Sequence, residues 1–519
     1  MKLDLMSPSL FPAGSMRCAL LSAISACALA TCLLATEGSA EDNRPNILLI
    51  VSEDNGPELG CYGDPYARTP HLDHLATEGL LFRRAYVAQA GCSQSRASFL
   101  TGLYPHQHGQ IGLATWNFRL YREDTPNLPK SLQAAGYRTG LIGKLHINPA
   151  SAFPFDVHHI TNANFARENL GDYAKHAEAF INGGDAPFFL SVNYPDPHDP
   201  WIRQVGGLPA NPQTGDEVKP LAYMGLDDPA MREMIADYYN CLSRMDTLIG
   251  DLLAVLEHSG KAGDTIVIYL GDHGADMLRG KRTSYEGGVR IPLLLRWPGR
   301  ISPQQRDDLV STIDLMPTLL EAAGAMPVPN LPGRPLQPLF RPGTPVWRTY
   351  LFTEYHTHSA TSYFPQRTVR NDRFKLIENL LPGEVHPDYE FTLTKLAGEA
   401  KFSDPHKSFD PQAVIATAAE EVRRAYALMR QPPRFELYDL KLDPFEFNNL
   451  AEKPAHAEVL NELQQQILAW RDRTHDPILD PRNLQRLTTE VRAISSKRQS
   501  REKPWSYPDY FFERTRQPD

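Results

Sequence analysis

Short apolar runs recur along this chain, and each passes directly into polar residues. Residues 47–51 lead into Glu53 and Asp54, and residues 137–142 into Gly143-Lys144-Leu145-His146. Residues 187–193 lead into Asp196-Pro197-His198, and residues 265–270 into Gly271-Asp272-His273-Gly274. Runs of this length with little alternation predict strands covered on both faces. Helical spacing lies between them, at 71–81 behind Thr69-Pro70, at 125–136 behind Thr125-Pro126, and behind Asp228-Pro229. In that last helix Met231, Ile235, Tyr238, Leu242, Met245, Ile249, Leu252 and Leu256 share one face, and Gly260 stops it. The order strand, polar end, helix predicts an α/β fold: a large, mostly parallel sheet sandwiched by helices. Its active edge is where the strands' carboxyl ends meet.

Prolines accumulate over 328–345 and the alternation stops, which predicts a boundary. The expected division is a catalytic domain at 41–345, a smaller α+β subdomain at 346–485, and a tail at 486–519. Strands are expected at 350–354, 367–377 and 435–440, with an amphipathic helix over 454–473. The tail is rich in charge and proline, as in a segment that wraps the surface or stays disordered.

The first forty residues read as a cleaved export signal. A basic start at Arg17 precedes an apolar run over 18–35 and the small-residue site Gly38-Ser39-Ala40. No later stretch is apolar enough to span a bilayer. Removing the leader takes three of the six cysteines and leaves Cys61, Cys92 and Cys241, so no disulfide framework carries the fold. Cys61 and Cys241 can pair or remain thiols. The chain has no Asn-x-Ser/Thr acceptor, which tilts the source towards bacteria and the compartment towards periplasm or exterior. A net charge of −9 argues against bulk nucleic-acid binding. An acidic protein that handles an anion must place its positive charges locally.

Two sets of residues stand at the predicted edge. Glu53, Asp54 and Asp272, with His273 adjacent, offer oxygen ligands suited to calcium, or to magnesium if waters complete the shell. Lys144, His146, His198 and Lys281 are the expected cradle for a tetrahedral anion. Singly, each is unremarkable, an acid as a helix cap and a lysine as a solvated surface group; convergence gives them weight.

The remaining feature is 91–102, Gly-Cys-Ser-Gln-Ser-Arg-Ala-Ser-Phe-Leu-Thr-Gly. Its spacing puts Cys92 in the first turn of a short helix, Arg96 one turn along the same face, and the helix's positive end beside the cysteine. The run resembles the sulfatase signature, Cys-x-Pro-Ser-Arg followed by Leu-Thr-Gly. Gly-Lys-Leu-His, Asp-Pro-His, Asp-His-Gly and Tyr285-Glu286-Gly287-Gly288 extend the resemblance over nearly the whole mature chain.

The resemblance implies an alkaline-phosphatase-like sulfatase fold and oxidation of Cys92 to 3-oxoalanine (formylglycine) by a formylglycine-generating enzyme. It also implies calcium held by Glu53, Asp54, Asp272, His273 and modified Cys92. One hydroxyl of the aldehyde hydrate would attack sulfur, with Arg96, Lys144 and Lys281 neutralising the sulfate. His198, with Lys281, would protonate the leaving group, and His146 would deprotonate the second hydroxyl. Three positions depart from the pattern: Gln94 for proline, Glu53 for aspartate, and His273 as a soft ligand.

Within the family, the signature and Thr474-His475-Asp476-Pro477 are similar to the heparan N-sulfatase (sulfamidase) branch. That makes the N-sulfate of glucosamine the expected target and His356, His358, Arg367 and Arg370 the expected contacts to the sugar or its carboxylate. The alternatives are an O-sulfatase on a sulfated glycan, a phosphoester or phosphonate hydrolase of the same fold, and a non-catalytic sulfated-glycan binder if Cys92 stays a thiol. Oligomeric state is left open, a homodimer included.

Overall fold

Strand β1 (Asn46–Ser52) shows why a parallel sheet forms. Ile47, Leu49 and Val51 join one apolar cluster, whereas Leu48 and Ile50 join another on the opposite face. A strand buried on both faces needs helices above and below it. The computed structural model describes residues 44–403, 409–494 and 496–515; the export segment expected at 1–40 lies outside them.

The other strands of the large sheet are β2 (Leu80–Tyr86), β3 (Arg138–Gly143), β4 (Val157–His159), β5 (Phe188–Tyr194), β6 (Thr265–Gly271), β7 (Arg290–Arg296), β8 (Gln304–Arg306) and β9 (Val310–Ser311). The spatial order is β4-β3-β5-β1-β6-β7-β2-β8, with β9 beside β2. From β4 to β6 every neighbour is parallel, and β7 runs antiparallel between β6 and β2. The sheet is therefore mostly parallel, as expected.

The expected helix behind Asp228 runs over Pro229–His258, and the Asp228 side chain accepts from the N–H groups of Ala230 and Met231. All eight residues assigned to its inner face are buried. The helix expected from 125 begins later, at Leu128. Asn127 caps it, its side chain accepting from the Lys130 N–H at 3.2 Å.

Residues 367–377, expected as one strand, fold as a hairpin of β11 (Gln366–Arg370) and β12 (Phe374–Asn379). Asn371 makes the turn, its Oδ1 accepting from the N–H groups of Arg373 and Phe374 at 2.9 and 2.7 Å. With β10 (Leu351–Tyr355) and β13 (Phe435–Asp439) they form a four-stranded antiparallel sheet in the order β10-β11-β12-β13. Helix Ala457–Arg473 packs against it. A helix over Pro481–Arg492 crosses the expected start of the tail at 486, and beyond it buried Trp505, Tyr507 and Phe511 cluster with Phe118. Cys61 and Cys241 are both free thiols.

Glu286 joins the two sheets. Its carboxylate lies 2.8 Å from Arg370 on β11 and 3.1 Å from Lys375 on β12. Burial would raise its pKa, but Arg370 and Lys375 overcome that and hold it at about 2. A depressed carboxyl stabilises the fold above its unfolded value of 4.5 and loses that contribution as pH falls through about 2. Glu286→Gln is thus expected to cost roughly 3–5 kcal/mol at pH 7, as for a broken buried pair. Melting curves of variant and parent should converge between pH 4 and 2; an equal gap at both ends contradicts this account.

Candidate active site

The site's construction starts with register. Ser52 pairs with Tyr194 and Gly271, and Gly143 pairs with Asn193, so β1, β3, β5 and β6 end side by side. The polar segments after them therefore share one edge, where an open α/β sheet collects its ligand groups. Gly143 turns the chain back across that edge with φ of +90°, and a Cβ there would lie 2.3 Å from the Asn193 carbonyl oxygen. Only glycine fits, and the turn delivers Lys144. Asp54 and His146 adopt φ of 54° and 58°, an uncommon conformation in two of the polar positions singled out above.

Helix Cys92–Thr101 is buried along its whole length, with Gly91 before it and Gly102 in a left-handed cap. Arg96, one turn from Cys92, donates to the Asn193 side chain at 2.7 Å and the Lys144 carbonyl at 2.9 Å. Its other terminal nitrogen bonds Glu53 and lies 3.2 Å from Asp272 Oδ2. Glu53 also takes Lys144 Nζ at 2.7 Å, and Asp54 takes Lys281 Nζ at 2.9 Å. Every cation expected from the sequence to face an anion is within this cluster.

Cys92 lies at its centre, only 2% exposed, with Sγ 3.3 Å from His273 Nε2. Burial pushes the thiol's pKa up, but Lys144, Lys281 and His273 outweigh it and hold the thiol well below its usual range. Burial and then Lys144 lower His146 to about 4, so its ring is neutral at pH 7.

Ligand atoms of Glu53, Asp54, Cys92 and His198 lie within 4.8 Å of one another, as do those of Cys92, Asp272 and His273. Asp272 Oδ1 accepts from the Asp54 N–H at 2.9 Å, whereas Oδ2 is buried with no hydrogen bond. Burial raises the Asp272 carboxyl to about 7, against the lowering effect of His273, and Glu53 and Cys92 add to the rise. With Oδ2 held by no hydrogen bond beyond its 3.2 Å approach to Arg96, the carboxylate-rich donor set fits a divalent cation.

A cavity of about 480 Å³ opens over the cysteine and is lined by Lys144, His146, His198, Lys281 and His358, among others. His358, expected as a sugar contact, is among its lining residues. His356, Arg367 and Arg370 do not line it. Arg367 is fully buried and held by Asp476 at 2.8 and 2.9 Å, close to Glu354. Arg370 is committed to Glu286 and Tyr86. His356 is buried 3.5 Å from Glu354 in the same interior network as Arg367. None of the three lines the cavity and each faces a buried carboxylate instead, so the lining gives their expected sugar roles no support.

The structure also brings in groups that the sequence did not single out. Phe165 stacks on His198 at 4.0 Å and lies beneath Lys144. Asp196 is held by Arg244 and Arg167, which anchors the turn carrying His198. Asp199, Asp276 and Lys395 complete one wall. The Asp-Pro-His-Asp run could have flagged Asp199; nothing local marks Phe165 or Lys395.

An open parallel sheet with a buried helix start, ringed at its strand ends by acids and cations, defines a hydrolase of anionic esters. The sulfatase family model matches residues 45–325, and the model for the C-terminal part of N-sulphoglucosamine sulphohydrolase matches 271–391. Human N-sulphoglucosamine sulphohydrolase is 32% identical over 493 residues, covering 86% of this chain and 93% of its own. Human arylsulfatase A is 30% identical over 82% of this chain and 88% of its own. Among solved structures, a protein in complex with its substrate D-glucosamine-2-N,6-O-disulfate has the same fold, with TM-score 0.61 at 21% identity, covering 83% of this chain and 98% of that one. Phosphonate monoester hydrolase of Agrobacterium radiobacter shares it too, with TM-score 0.59 at 21% identity over 83% and 96% of the two chains. The chain belongs to the sulfatase family. It is an enzyme, a hydrolase of sulfuric esters or sulfamates.

Proposed function

We propose that the protein removes the N-linked sulfate from a terminal N-sulfoglucosamine, using Cys92 after its oxidation to formylglycine and a calcium ion at the strand ends. The observation that carries the substrate is the match over 271–391, because that stretch supplies Asp276, Lys281, Arg282, His358 and Phe391 to the cavity above Cys92. The 32% identity with human N-sulphoglucosamine sulphohydrolase supports the same reading. The export signal at 1–40 and a periplasmic or extracellular site of action belong to this proposal. No helix among the described residues is long and apolar enough to cross a membrane.

Asp54 and Asp272 would hold the cation, with Glu53, His273 and the oxidised residue 92 around it; when bound, it supplies positive charge to the sulfate oxygens. The oxidised residue supplies an oxygen nucleophile in place of the thiol. Lys144 and Lys281 bind the remaining sulfate oxygens, and Arg96 keeps Glu53 and Asp272 in position. His198 gives a proton to the departing nitrogen. His146, neutral and with its buried Nδ1 unpartnered, accepts one when the sulfate is released. Phe165, Leu113 and Ile147 line the walls and keep water from the sulfur.

Sulfate release should be measured on N-sulfoglucosamine and glucosamine 6-O-sulfate, and phenol release on a phenyl phosphonate monoester, using protein made with a competent oxidising system. The N-sulfate is expected to react at least about tenfold faster, a margin of only about 1.4 kcal/mol. Faster release from the 6-O-sulfate would make the protein an O-sulfatase, and phosphonate turnover alone would make it a phosphonate hydrolase. A thiol mass for the Cys92 peptide with no turnover would leave a glycan binder.

A further inference from the structure

The geometry points to Asp199 and Lys395 as positioning residues that aim the His198 ring at the leaving group. The inference rests on the proposed reading of the Cys92 cavity. Nδ1 of His198 lies 2.6 Å from the Asp199 carbonyl oxygen and 3.1 Å from its carboxylate. Both oxygens can only accept, so Nδ1 carries a hydrogen and its direction is settled. The other nitrogen, Nε2, is directed to the interior of the site, 3.8 Å from Asp54 Oδ2. Phe165 stacks on the ring face at an interplanar angle of 12°, so the ring cannot swing sideways.

Asp199 needs a holder of its own. It is partly exposed at the cavity wall, and a free carboxylate there would turn to solvent. Lys395 prevents this: Nζ lies 2.8 Å from Asp199 Oδ1 and also bonds Asp276, across from Lys281. Lys395 comes from helix Pro387–Ser403, whereas Asp199 follows β5, so two distant parts of the chain close one wall. The order Lys395, Asp199, His198 is a line of charge-assisted contacts that ends at the one ring nitrogen facing the substrate.

The chemistry needs that alignment. As the S–N bond breaks, its electron pair stays on nitrogen, and sulfur takes the incoming oxygen. The Nε2 proton moves to the nitrogen, and the imidazole left behind keeps its Nδ1 hydrogen on Asp199. An amine leaves poorly without that proton, whereas a nitrophenolate leaves well without it. Positioning of His198 therefore matters for one leaving group and not for the other.

The test compares N-sulfoglucosamine with 4-nitrophenyl sulfate in the parent, Asp199→Asn, Lys395→Met and Lys395→Arg, all with oxidised Cys92. Asp199→Asn and Lys395→Met are expected to lower kcat on N-sulfoglucosamine about 10- to 100-fold while changing kcat on the aryl sulfate less than about threefold. Lys395→Arg is expected to recover most of the loss. Turnover of the aryl ester reports that each variant is folded and oxidised. Parallel losses on both substrates, or no loss on either, overturn the inference while leaving the sulfatase reading intact. A parent with no activity on either substrate overturns that reading and this inference with it.

Discussion

Cys92→Ala is expected to abolish sulfate release, by at least about 10⁴-fold in kcat, with a melting temperature close to that of the parent. The size of the effect follows from what surrounds the residue. Lys144, Lys281 and His273 concentrate positive charge on a side chain whose sulfur lies 3.3 Å from His273. Those groups pair with Glu53, Asp54 and Asp272 whether or not the sulfur is present, so the fold has little to lose. Replacing a small buried thiol by alanine removes few packing contacts. Kinetics with a thermal melt decide the matter. A variant that keeps even a hundredth of parental turnover removes Cys92 from the reaction.

Asp272→Asn is expected to lower kcat/KM by more than about 100-fold, beyond the usual cost of losing a residue that only supports a ligand. The amide oxygen can still accept from the Asp54 N–H, so the loop keeps its shape. The charge is lost at Oδ2, which makes no hydrogen bond and lies 3.2 Å from the Arg96 guanidinium. The protein should bind less calcium after equilibrium dialysis, and a large excess of the ion should restore part of the activity. Full activity with undiminished calcium content would place the cation elsewhere.

The parallel sheet was legible because β1, β3, β5 and β6 are covered on both faces and so read as plain apolar runs. The acids and bases at the strand ends were legible because topology makes those ends adjacent. Other features depend on contacts between distant residues. The run 367–377 looked continuous because Asn371 turns the chain with one side chain inside it. Arg367 and Arg370 looked available because their partners, Asp476 and Glu286, lie about a hundred residues away. Lys395 was missed for the same reason: nothing near it in the sequence says that it meets Asp199 and Asp276.

The enclosure of Cys92 has a temporal corollary. Its surroundings arrive late in synthesis, Lys281 and His358 some two hundred residues or more behind it. A second enzyme cannot reach a thiol that is 2% exposed. The oxidation proposed for this residue must therefore precede closure of the sheet, on a chain still open, and any variant that folds unusually fast should carry a larger fraction of untouched cysteine.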